Sequence, residues 1–85
     1  MKEITYTLKD PLGIHARPAG LLVRLAGKYK CDIKIGSPVK MVNAKRIIGV
    51  MGLTMKQGDE ITLSFSGEDE EEAAVAVEQF LTENL

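Results

Sequence analysis

Tryptophan is absent from this chain of 85 residues, and the aromatic set is only two tyrosines and two phenylalanines. Sequence-tolerant nucleic-acid surfaces stack bases on aromatic rings, so this composition argues against a nucleic-acid partner. One cysteine, Cys31, excludes an internal disulfide and fits a reducing cytoplasm. No run approaches the ~18–20 apolar residues that span a bilayer, so no membrane insertion is expected. The opening stretch MKEITYTLKD lacks the apolar core of a secretory signal. One histidine, one cysteine and no carboxylate cluster at ligand spacing argue against a metal site. Cys31 and Met41 are expected to serve as packing.

The charges that are present are segregated. Residues 67 to 85 hold seven acids and no base, whereas the other 66 residues hold eleven bases against five acids. A basic body with few aromatics suits a phosphate or an acidic protein partner.

Alternation marks three strands: KEITYTL, with Ile4, Tyr6 and Leu8 on one face; CDIKIG; and EITLSFS, with Ile61, Leu63 and Phe65 inward. VKMVNA, after the turn-forming Gly36-Ser37-Pro38, reads as the hairpin partner of CDIKIG. Between the first two lies ARPAGLLVRLAGKYK, whose Ala19, Leu22, Val23 and Ala26 form a helical core stripe. Arg17, Leu21, Arg24 and Lys28 line another face of it. KRIIGVMGLTM reads as a brief helix broken by glycine, with Ile48 and Leu53 expected in the core. The last helix opens at GEDEEEA, where Asp69 and Glu72 have capping-box spacing. Its expected buried stripe is Ala73, Ala76, Val77, Phe80 and Leu81. The order βαββαβα predicts an α+β, open-faced β-sandwich: a four-stranded antiparallel sheet covered on one face by three helices.

The histidine stands in PLGIHARPAG, between Gly13 and the start of the first helix. With His15 as N-cap, the Ala16 and Arg17 amides lack intrahelical acceptors, and Pro18 falls in the first turn, where its missing N–H breaks no helical bond. Free amides at the positive end of a helix, with the Arg17 guanidinium beside them, form an anion site suited to phosphate. A neutral ring at that rim is a nucleophile, although a lone histidine before a helix serves equally as a surface residue or a cap. The residues alone leave both readings open.

GIHARPAG resembles the active-site motif of HPr, the histidine-containing phosphocarrier family of the bacterial phosphoenolpyruvate:sugar phosphotransferase system. The likeness runs on through KRIIGVMGLTMKQGDEITLSFSGEDEEEA and covers essentially the whole chain. It implies a single cytoplasmic, monomeric HPr-like domain, residues 1–85, that is a carrier rather than an enzyme and needs no cofactor. It implies that His15 accepts a phosphoryl group on Nδ1 from Enzyme I, charged by phosphoenolpyruvate, with Arg17 as catalytic arginine and Ala16 and Arg17 binding the phosphate. The group then passes to the A domain of a sugar permease. The partner-docking surface it implies is an apolar patch of Leu21, Ile47 and Met51, ringed by Arg17, Arg24, Lys45 and Arg46.

The chain departs from the family at two positions. Arg46 stands where many members carry a serine modified by an ATP-dependent HPr kinase, so that regulation is expected to be lost. Leu12 stands where a small polar residue is common beside the phosphohistidine. An alternative reading is a regulatory adaptor that uses the same surface to bind a transcription factor or a metabolic enzyme.

Overall fold

The computed structural model describes residues 1–85. Its elements are β1 (Lys2–Thr7), α1 (Ala16–Ala26), β2 (Asp32–Ser37), β3 (Lys40–Asn43), α2 (Ile47–Met51), β4 (Glu60–Ser66) and α3 (Glu70–Asn84). The strands pair antiparallel in the order β1-β4-β2-β3. The chain enters on an edge strand, and β4 later inserts between β1 and β2. Alternation decides which side of the sheet is dry. Ile33, Ile35, Ile61, Leu63 and Phe65 point to the helices and are buried. Their neighbours Thr5, Thr62, Lys34 and Ser64 pair across strands on the opposite face. On the inner face α3 packs against β1 and β4, and α1 packs against α3 and α2 and sends its buried side chains into the same core, with α2 also against β3. The sheet is thus covered on one side only, as the sequence pattern predicts.

The buried side chains form one cluster of 19 residues with no charged or polar member. From α1 come Ala19, Leu22 and Ala26, with Val23 half-buried at the margin. Leu8 belongs to the core from just beyond the end of β1. Two expectations for α3 need correction. Its buried residues are Ala73, Ala74, Val77 and Leu81, whereas Ala76 and Phe80 are only half-buried. The stripe is rotated by about one residue, because α3 leans on α1 as well as on the sheet.

The Asp69–Glu72 capping box does not form either. Asp69 is the N-cap of α3 but makes no side-chain cap hydrogen bond. Its carboxylate instead accepts the main-chain amides of Lys30 at 2.8 Å and Cys31 at 2.9 Å, 39 and 38 residues away in sequence. Two amides at the entry to β2 compete for the carboxylate and win, since neither has a strand partner there. Glu70 supplies the local bond in its place, accepting the Gly67 amide at 3.1 Å, and its other oxygen pairs with the N-terminal ammonium at 2.9 Å.

Cys31 is buried at the same junction. Burial first, and then the Asp69 carboxylate, push its thiol up to about 11, so it is inert packing at neutral pH. Met41, also expected to pack, is half-buried on β3.

The Lys30 amide, with Cys31 adding to it, holds the Asp69 carboxyl below the usual carboxylate range. A depressed acid stabilises the fold above its unfolded value, and that contribution vanishes as pH falls through its folded value. Asp69→Asn should therefore melt at a lower temperature than the wild type at neutral pH, with the gap narrowing on acidification. Thermal melts across the acidic range check this; a gap independent of pH removes the carboxylate's charge from the account.

Candidate functional site

The site is assembled where α1 begins. His15 is extended, with φ −125° and ψ 179°, and is the N-cap of α1. Its carbonyl accepts the Ala19 amide at 2.9 Å, the first helical bond. No side chain caps the helix, and neither the Ala16 nor the Arg17 amide donates to a protein acceptor. Pro18, buried in the first turn, forgoes a bond that no residue was placed to accept. The sequence expectation of a cup of free amides at the positive end of a helix is thus met in the geometry.

What precedes His15 is rigid rather than pliant. Gly13 has φ +64°, and a Cβ there would stand 2.3 Å from the Met55 carbonyl oxygen. The same carbonyl accepts the Ile14 amide at 3.2 Å, and Ile14 itself is buried. Gly13 therefore serves close approach: the 10–14 turn is pressed against residues 55 and 56, which fixes where His15 emerges. Thr54, with φ +52°, is the one non-glycine residue with a left-handed backbone, directly before Met55.

His15, Arg17, Pro18, Leu21, Asp10 and Asn84 line an open hollow of ≈270 Å³. At ~30 Å³ per water, that holds a phosphoryl group and several waters. The His15 side chain is 34% exposed and sits in no apolar pocket. Arg17 is exposed and forms no ion pair within the chain, so its guanidinium is available to an anion. Two lining residues escape sequence reasoning. Asn84 comes from the far end of α3, and only the packed fold brings it here. Asp10 places a carboxylate oxygen 3.8 Å from His15 Nε2. Its spacing of five residues from His15 was the available signal.

The expected docking residues are partly brought together. Leu21 borders the hollow, and Leu21, Ile47 and Met51 are 41%, 40% and 39% exposed on the adjoining helices α1 and α2. Arg24 is exposed in the last turn of α1, and Arg46 is exposed as the N-cap of α2. Ile48 corrects an expectation: it is 85% exposed rather than in the core, while Leu53 is buried as anticipated. Val50 is the inward residue of α2, and Ile48, about 200° away at 100° per residue, faces water. Lys45 needs correction too. Its Nζ donates to the Tyr29 carbonyl at 2.7 Å, past the end of α1 opposite to His15, so it is not a free cation of the rim.

A partly exposed imidazole beside free helix-terminal amides and an unpaired arginine, carried on an open-faced α+β sandwich, is an arrangement suited to a phosphoryl-acceptor protein. A model of the family described as "PTS HPr component phosphorylation site" matches residues 2–83. The chain is 48% identical over 83 residues to the phosphocarrier protein HPr of Lysinibacillus sphaericus, an alignment covering 98% of this chain and 94% of that one. Its fold is similar to that of HPr-C-His from Thermoanaerobacter tengcongensis, with a TM-score of 0.91, 44% identity and coverage of 96% and 92%. It is less similar to Crh, the Bacillus subtilis catabolite-repression protein, whose structure is a domain-swapped dimer: TM-score 0.78, 36% identity, coverage of 94% and 92%. The chain belongs to the HPr family, the phosphocarriers of the phosphotransferase system. No helix is long and apolar enough to cross a membrane.

Gly13→Ala should lower stability by about 1–3 kcal/mol through backbone strain, with the clash against Met55 added. It should also slow phosphoryl acceptance, because the turn that sets His15 must retreat. Denaturant unfolding alongside a phosphorylation time course checks both.

Proposed function

We propose that His15 is the phosphoryl acceptor, taking the group from phosphorylated Enzyme I and passing it to the A domain of a sugar permease in the cytoplasm. The observation that carries this reading is the half-exposed imidazole beside two free amides and an unpaired guanidinium. Arg17 bonds the phosphoryl oxygens as negative charge spreads over them in transfer, and the Ala16 and Arg17 amides hold the group afterwards. These contacts stay open to water, which keeps the bound state shallow enough for the group to leave again. The chain needs no resident cofactor for this, since phosphoenolpyruvate supplies the phosphoryl group upstream.

Docking uses Leu21, Ile47 and Met51, extended by the exposed Ile48, with Arg17, Arg24 and Arg46 around them. A small apolar centre with a cationic rim suits brief complexes with acidic partners. Arg46 offers no hydroxyl at the N-cap of α2, so a serine kinase has no acceptor there and the docking face keeps its positive charge. The weaker likeness to Crh, together with an intact His15, favours a carrier over a regulatory adaptor.

Incubation with the cognate Enzyme I and phosphoenolpyruvate should yield an acid-labile, base-stable phosphate that is absent from His15→Ala. Arg17→Ala should slow its formation roughly 10- to 100-fold, the worth of one charge-assisted contact at about 1.5–3 kcal/mol. An unphosphorylated wild type under these conditions defeats the proposal.

Replacing Arg24 and Arg46 together by Ala should slow association with Enzyme I, and more so at low salt than at high salt. Stopped-flow association rates across ionic strength measure it; identical salt slopes place both residues off the docking face.

A further inference from the structure

Asp10 is tied down at both its main chain and its side chain. Its amide donates to the Leu85 carbonyl at 2.8 Å, and its carbonyl accepts the Gly13 amide at 2.9 Å. Its carboxylate oxygen Oδ1 accepts the Leu12 amide at 2.8 Å. The other oxygen, Oδ2, is the one that lies 3.8 Å from His15 Nε2. No protein hydrogen bond engages Nδ1 of that ring. The Asp10 and His15 side chains are 27% and 34% exposed, so water screens the pair only in part.

A neutral imidazole carries one N–H and one lone pair, and its surroundings decide which nitrogen has which. A fixed carboxylate beside Nε2 attracts an N–H dipole and repels a lone pair. It equally repels a phosphoryl dianion from that edge of the ring. Both effects leave Nδ1 as the nitrogen that meets phosphorus. Resting on the reading of His15 as acceptor, we propose that Asp10 is a positioning residue that keeps the His15 proton on Nε2 and so makes Nδ1 the nucleophile.

In the transfer, the Nδ1 lone pair forms a bond to phosphorus while the bond from phosphorus to the donor atom breaks. The electron pair of that bond leaves with the donor. The ring keeps its Nε2 proton and gains a positive charge, which Asp10 faces from the far edge, as a triad aspartate faces its imidazolium. Onward transfer returns the pair to Nδ1 and discharges the ring. Leu12 enters through its amide alone, since its side chain is 69% exposed. The polar group beside the ring comes instead from two residues upstream.

The ring-nitrogen chemical shifts of His15 test this in the unphosphorylated full chain, at a pH where the imidazole is neutral. The wild type should show mainly the Nε2–H form. In Asp10→Asn, which retains an acceptor for the Leu12 amide, and in Asp10→Ala, the Nδ1–H to Nε2–H ratio should rise about two- to fivefold, the weight of a partly screened charge contact. A wild type that is mainly Nδ1–H overturns the proposal whether or not the variants fold, and so does an unchanged ratio in a folded variant. No phosphate enters this readout. A failure of His15 to accept a phosphoryl group appears separately, in the phosphate-lability assay.

Discussion

An α-helix cannot satisfy its own first amides, and the chemistry of this protein depends on where α1 leaves them. A serine or aspartate at the N-cap bends back to accept those amides and contributes about 1 kcal/mol to the helix. An imidazole at the same position makes no such bond here, and the amides stay open. The stability forgone at position 15 is what leaves two amides open to an anion. Proline at 18 fits the same logic, because a buried ring with the right φ starts the helix without adding another free donor. The whole device occupies one helical turn, and its position is set by the Gly13 contact with Met55.

Phosphoryl carriage needs balance as much as affinity. The helix end contributes about half a positive charge and Arg17 a full one, both screened by water at an open site. Asp10 sets a full negative charge at the opposite edge of the ring. A buried site with the same donors and no carboxylate would hold a dianion far more tightly, since interactions strengthen as the effective dielectric falls. On the proposed reading of His15, exposure is what would keep a bound phosphoryl group free to leave. The loop carrying Asp10 is itself bonded to Leu85, the last residue of the chain, so the C-terminal end of the fold contributes directly to the placement of the site.

The parts of this architecture that were legible in sequence are those encoded within a few residues. Strand alternation and one Gly-Ser-Pro turn placed all four strands, and with them the dry face of the sheet. The string from Gly13 to Pro18 fixed the helix start, because an N-cap, two orphan amides and a tolerated proline are all local facts. Misreadings came from partners distant along the chain. Asp69 looked like a local cap until the amides of Lys30 and Cys31 arrived from β2. Lys45 looked like a free cation until the end of α1 supplied the Tyr29 carbonyl. Asn84 gave no signal at all, since its relation to His15 exists only once α3 has packed. Ile48 failed for another reason: in a helix of five residues there is no repeat from which to read an inward face.

The surface that meets partners follows from the same one-sided layering. The outer face of the sheet is polar, with the Thr5–Thr62 and Lys34–Ser64 pairs at its middle, and its one apolar side chain is the half-buried Met41 on the edge strand β3. Of the eight large apolar side chains left exposed, Leu12, Leu21, Ile47, Ile48 and Met51 lie on α1, α2 or the turn leading to His15. Chance would scatter them over the surface, as single exposed apolar residues are ordinary. On the proposed reading of this face as the docking surface, a partner that buries them would also cover the hollow that Leu21 borders. Burial would then exclude water from the amides and Arg17 only while the complex lasts, strengthening their hold on a moving charge at the moment of transfer. Separation restores the solvent, and with it the shallow binding that a carrier requires.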